Sequence, residues 1–139
     1  MGRVKLFLFL PFLFSCFIDL SGQGRLKHDY EREYYSNGKL MYETTYLNGN
    51  LDGFTRSWDE DGNLVSKIEY RNGQLNGIWE TYYSSGNIKN SVIYQDNKKN
   101  GQEIWYHENG NKQSEVIYIN GVINTEIIRW NKNGKQINN

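Results

Sequence analysis

Five glycines, Gly38, Gly62, Gly86, Gly110 and Gly134, stand 24 residues apart along this chain. A fixed period of roughly 20 to 50 residues marks a chain built from copies of one supersecondary unit. The spacing is not confined to glycine. Four residues before each glycine sits an aromatic: Tyr34, Trp58, Tyr82, Tyr106 and Trp130. Eight residues after each of the first four sits a tyrosine: Tyr46, Tyr70, Tyr94 and Tyr118. A second glycine recurs at Gly49, Gly73 and Gly121, with Asn97 in the missing slot. A third recurs at Gly53, Gly77 and Gly101, and Thr125 breaks that series.

Each unit reads as two short strands and two turns. "LMYETTY", "GIWETYY" and "GQEIWY" have the aromatic and β-branched character of strands. "SNGK", "EDGN", "SSGN", "ENGN" and "KNGK" read as hairpin turns, since Gly and Asn tolerate the positive φ that such turns demand. A three-residue loop, Ser36-Asn37-Gly38 with Gly38 left-handed, would set Tyr34 opposite Leu40. In that register the even positions share one apolar face: Leu40, Leu64, Ile88, Ile68, Val92, Val116, the tyrosine column, Phe54 and Ile78. The odd face holds Glu43, Lys67, Ser91 and Glu115 in a solvent-like column, and with them Trp79, Trp105, Ile93 and Ile117. Because 24 is even, each face repeats from unit to unit.

No helix-period pattern occurs after residue 24. The expected fold is all-β: an elongated, twisted, single-sheet antiparallel meander of about five 24-residue repeats, an open solenoid-like ribbon. With 11 Tyr and 4 Trp, the aromatic columns would serve as its core. Residues 34–139 form the repeat domain in this reading and 24–33 a lead-in.

The N-terminus follows other rules. Arg3 and Lys5 precede the apolar run "LFLFLPFLFSCFI", then "DLSGQG". A basic start, a short apolar core and small residues make residues 1–23 a secretory signal peptide. The apolar run falls short of the ~20 residues a membrane span needs. A rival reading takes "LFSC" as a lipobox, with the protein anchored through Cys16. Either reading places the chain outside the cytoplasm, in the periplasm or beyond.

The stretches "YYSNGKLMYETTYLNGNLDGF" and "YRNGQLNGIWETYYSSGNIKNSVIY" resemble the MORN-repeat variant family. The resemblance covers roughly residues 30–137. It implies an assembly or membrane-proximal interaction module, and such chains are often described as YwqK-type antitoxins, immunity partners of toxins. An export signal sits awkwardly with a cytoplasmic antitoxin.

The remaining sequence offers little chemistry. The formal net charge is zero, which removes the electrostatic basis for binding nucleic acid. His28 and His107 are the only histidines, and His107 falls in a variable column that reads as solvated. "DEDGN" lacks the acid spacing of a calcium loop and reads as an acidic hairpin tip. No nucleophile elbow or phosphate-cradling loop occurs. The expectation is therefore a non-enzymatic chain with no catalytic residue, cofactor or metal. It would act as a protein-interaction module at the cell envelope, with a toxin as one candidate partner. The alternative is a binder of glycan or lipid surfaces. The off-pattern Trp79, Trp105, Ile93 and Ile117 are the candidate partner-binding residues. The glycine, aromatic and tyrosine columns are the structural ones.

Overall fold

The computed structural model describes residues 27–137. The proposed signal peptide, residues 1–23, and Cys16 within it lie outside the described residues. Eleven strands form one sheet. They are β1 (His28–Tyr34), β2 (Leu40–Leu47), β3 (Asn50–Trp58), β4 (Leu64–Arg71), β5 (Gln74–Tyr82), β6 (Ile88–Gln95), β7 (Lys98–Tyr106), β8 (Lys112–Ile119), β9 (Val122–Ile123), β10 (Ile128–Trp130) and β11 (Gln136–Ile137). Neighbours in sequence pair antiparallel from β1 to β8. There β9 and β10 both pair with β8, and β11 closes the row. The expected meander is what forms, and among the described residues it has no second layer.

Two kinds of turn alternate along its edges. At the three-residue turns, Tyr35 N donates to Lys39 O (2.8 Å) and Gly38 N to Tyr35 O (3.0 Å), with Gly38 at φ +84°. Tyr34 lies opposite Leu40 as anticipated. The same pair of bonds recurs at Asp59/Asn63, Tyr83/Asn87, His107/Asn111 and Asn131/Lys135. At the other edge Leu47 pairs with Asn50 across Asn48-Gly49, whose φ values of +50° and +80° fit a two-residue turn with both residues left-handed. Asn97, in the slot of the missing glycine, adopts φ +66°. Its N–H donates to Leu75 O (3.0 Å), as Gly73 N does to Leu51 O (2.7 Å) and Gly121 N to Lys99 O (2.8 Å). Asn reaches the left-handed region at little cost, so this substitution leaves the turn intact.

The facing of the side chains departs from the even/odd expectation. After each of the first four three-residue turns one extra residue bulges. Tyr34 pairs with Leu40 but Glu33 with Tyr42, which leaves Met41 over; Val65, Lys89 and Gln113 are its counterparts. A bulge reverses which parity points to a given side, and so does each two-residue turn. Beyond each bulge, the inner face therefore combines even positions of β2, β4, β6 and β8 with odd positions of β3, β5 and β7. One row across it runs Thr44, Thr55, Ile68, Trp79, Val92, Glu103, Val116. A parallel row runs Tyr42, Ser57, Ser66, Thr81, Asn90, Trp105, Ser114.

Two corrections follow. Trp79 and Trp105 share the face of Ile68, Val92 and the tyrosine column. Ile93 and Ile117 share the other face with Ile78, Phe54 and the column of Glu43, Lys67, Ser91 and Glu115. The four side chains expected together are divided between the two sides of the sheet.

Among the described residues Val92, Val116, Asn90 and Glu103 are the buried ones, and all four lie on the inner face. A single layer can bury them only where long neighbouring side chains and the coil of the sheet close over them. The outer face carries the aromatic–aliphatic pairs Tyr34/Leu40, Trp58/Leu64 and Tyr82/Ile88. It also carries a charge ladder in which Glu43 meets Arg32 (2.7 Å) and Arg56 (3.1 Å).

Candidate interaction face

Three tyrosines of the column stand on the inner face opposite a glycine of the neighbouring strand: Tyr70 and Gly53, Tyr94 and Gly77, Tyr118 and Gly101. These glycines sit in mid-strand at φ +105°, +133° and +129°. Each lies under the residue that three others oppose: Thr45, Glu69 or Ile93. A Cβ on Gly101 would come within 3.1 Å of the Ile93 side chain. The repeat therefore accounts for its own columns.

Some inner-face positions are not columns at all. One slot holds Leu51, Leu75, Lys99 and Ile123; another Thr55, Trp79, Glu103 and Ile127; a third Ser57, Thr81, Trp105 and Arg129; a fourth Tyr42, Ser66, Asn90 and Ser114. Four of the departures, Lys99, Glu103, Trp105 and Asn90, gather on β6 and β7. Glu103 is 8% exposed and has both oxygens engaged: Lys99 Nζ lies 2.6 Å from Oε2, and Trp105 Nε1 donates to Oε1 at 3.3 Å. Asn90 Nδ2 donates to Ile104 O (3.1 Å). The Lys99 ammonium lies 4.7 Å from the centre of the Tyr118 ring. Burial pulls the Lys99 pKa down, the hydrogen bond and charge of Glu103 push it up, and the net is a raised value. The Lys99 ammonium stays charged through the neutral range. Beside it Trp79 packs on Tyr94 with ring centres 5.9 Å apart, and its indole N–H is buried without a partner.

An ion pair in this position is no requirement of the scaffold, since an apolar pair such as Leu75–Trp79 fills the equivalent slots one unit earlier. Buried ion pairs rarely stabilise more than the apolar residues they displace. Trp105 keeps 39% of its surface in solvent while its N–H is held. The result is an aromatic plate of fixed orientation above a satisfied carboxylate. The parity reversal hid this cluster from sequence reasoning. The signal that could have found it is a comparison of units slot by slot, which marks Lys99 and Glu103 as foreign to their columns.

The other candidates have structural roles. His107 is half-buried, with Nε2 3.0 Å from Trp130 O. Tyr83 OH donates likewise to Tyr106 O (2.8 Å) and Tyr35 OH to Trp58 O (2.7 Å). Three members of the column expected to be solvated, Tyr35, Tyr83 and His107, thus tie one unit to the next. Tyr83, His107, Glu108, Asn109, Gln113 and Lys132 line a shallow polar hollow along this edge. Asp59 turns its carboxylate into its own loop, accepting from Asp61 N (3.0 Å), Asn63 N (2.8 Å) and Asn63 Nδ2 (3.0 Å). The bonds to Asn63 lead in holding its pKa below the usual carboxylate range. Tyr82 is pushed up by burial and by its hydrogen bond to Glu80 (2.7 Å). Among the described residues no three His, Cys, Asp or Glu side chains converge as metal ligands.

The model of the family described as "MORN repeat variant" matches residues 30–48, 51–72, 75–96 and 99–120. Each match after the first begins near a two-residue turn and spans one hairpin of the sheet. No curated protein sequence matches the chain.

Proposed function

The chain belongs to the MORN repeat variant family, and from that premise we propose an exported, non-enzymatic module that binds a protein partner at the cell envelope through its inner face. One observation carries this reading. Three residues that break the repeat, Lys99, Glu103 and Trp105, lie together on one face, and there they fix an exposed indole over the buried Glu103 carboxylate and its half-buried partner Lys99. Protein interfaces take their energy from a few such anchors, with Trp foremost among them. An immunity-like role toward a secreted toxin is one form of this function, and it suits a chain that leaves the cytoplasm.

Trp105→Ala is the test. The purified chain, without residues 1–23, is presented to envelope extract, and captured proteins are quantified against the unaltered chain. Capture of a stoichiometric partner should fall at least tenfold for Trp105→Ala, about 1.4 kcal/mol. Ile93→Ala on the outer face should leave it unchanged, and both variants should keep the unaltered β-sheet circular dichroism. Equal loss for both variants would remove the inner face from the proposal. The polar groups around Trp105 also suit a sugar stacked on the indole. Retention on peptidoglycan that Trp105→Ala abolishes, with no captured protein, would favour that second reading.

A further inference from the structure

Eight asparagines in this chain precede a glycine. In such a pair the glycine backbone nitrogen, after losing its proton to solvent base, can attack the Asn Cγ. A C–N bond forms, the Cγ–Nδ2 bond breaks, and ammonia leaves with a proton from water. Water then opens the succinimide to aspartate or isoaspartate. Glycine leaves its own nitrogen unhindered, so the remaining control is whether the Asn carboxamide can swing onto it.

Three of the pairs occupy the same slot in the three-residue turns: Asn37-Gly38, Asn109-Gly110 and Asn133-Gly134. Their backbones agree. The glycine φ values are +84°, +87° and +79°. In each, the glycine N–H donates within its own loop, at 3.0, 2.9 and 2.9 Å.

The carboxamides do not agree. Asn37 Nδ2 donates to Glu60 O (3.0 Å) in the next turn, while its Oδ1 accepts from Lys39 N (2.9 Å). Asn109 Nδ2 donates to Lys132 O (2.7 Å) in the next turn, while its Oδ1 accepts from Asn111 N (3.2 Å). Asn133 lies in the last turn of the described sheet, where no further turn stacks upon it. Its carboxamide has no hydrogen-bond partner among the described residues, and it is exposed.

We propose that Asn133 is a site of spontaneous deamidation, and that stacking of one turn on the next protects its counterparts Asn37 and Asn109. Asn72 and Asn120 also have unheld carboxamides, but they lie in the two-residue turns, where Gly73 N and Gly121 N are tied across to the preceding unit at Leu51 O and Lys99 O, whereas Gly134 N is bonded only within its own loop. The three turns that share one backbone therefore form the like-for-like set. The product places a carboxylate between the exposed Lys132 and Lys135 and takes the formal net charge from zero to minus one. The isoaspartate form also adds a methylene to the loop backbone and ends the turn geometry.

The test is incubation of the folded chain at mildly alkaline pH, followed by proteolysis and mass spectrometry of the three peptides over time. Two hydrogen bonds must be released at Asn37 and Asn109 before ring closure, so Asn133 should convert about tenfold faster than either. In concentrated denaturant the three rates should come together. Equal rates in the folded chain would overturn the proposal. So would a lead of Asn133 that persists in denaturant, which would assign it to local sequence instead of to the missing neighbour.

Discussion

Gly101 and Thr125 occupy the same slot in successive units, and the sheet treats them differently. At Gly101, β7 runs unbroken from Lys98 to Tyr106, with Asn100, Gly101 and Gln102 all opposite Ile93. That wide bulge needs φ +129° with Ile93 lying close above. Thr125 is not among the positive-φ residues, and its strand divides into β9 and β10. Its hydroxyl stands in for the lost ladder, accepting from Ile117 N (3.1 Å), while Asn124 N donates to Ile117 O (2.8 Å). Pairing resumes at Ile128 and Glu115, in the register of every earlier unit. The glycine therefore sets continuity of the strand, and the surrounding pairs set register. The same division separates Asn97, which replaces a turn glycine without consequence, from Thr125, which cannot take up the conformation its slot requires.

Gly101→Thr is the most severe way to break this comparison. It places a β-branched side chain at positive φ against Ile93, at a cost of about 3 kcal/mol. Denaturant unfolding should show that loss. Hydrogen exchange should show Asn100–Gln102 opening, and β7 dividing there as the strand of the last unit divides between Ile123 and Ile128. An unbroken, equally protected β7 would mean that the glycine is dispensable there.

A smaller effect separates the two buried valines. Val92 has strand neighbours on both sides, Trp79 and Glu103, whereas Val116 has Glu103 alone, because the slot of Ile127 is outside any strand. Val92→Ala should cost about 2 kcal/mol. Val116→Ala should cost roughly half of that, since the opened side lets the site relax. Equal losses in denaturant titration would show that the last unit encloses its face as fully as the others.

Thr125→Gly is the mildest. It permits the bulge but removes the hydroxyl that serves Ile117 N. The net change in stability should stay within about 1 kcal/mol. The informative readout is hydrogen exchange, which should slow at Glu126 and Ile127 as β9 and β10 join. Unchanged exchange there would place the cause of the break elsewhere in the unit.

Much of this was legible in the chain itself. The three-residue loop at Ser36-Asn37-Gly38 and the pairing of Tyr34 with Leu40 follow from turn chemistry, which acts over a handful of residues. Which side Trp79 faces does not follow from it. Met41, Val65, Lys89 and Gln113 bulge only when two strands pair with unequal counts, and each bulge resets the alternation that an even/odd reading carries forward. His107 misled for a related reason. A column that varies between Tyr, Asp, His and Asn looks solvated, yet three of its members reach the carbonyl of the next unit, an acceptor every sequence supplies.

The sequence by itself determined the 24-residue period, the positions that must go left-handed and hence the meander, because φ preference and turn geometry are local properties of short segments. Only the tertiary structure decided which residues face inward and meet. The facing of a strand depends on bulges that exist only between paired strands, and it is that pairing which brings Lys99, Glu103 and Trp105 to a common face.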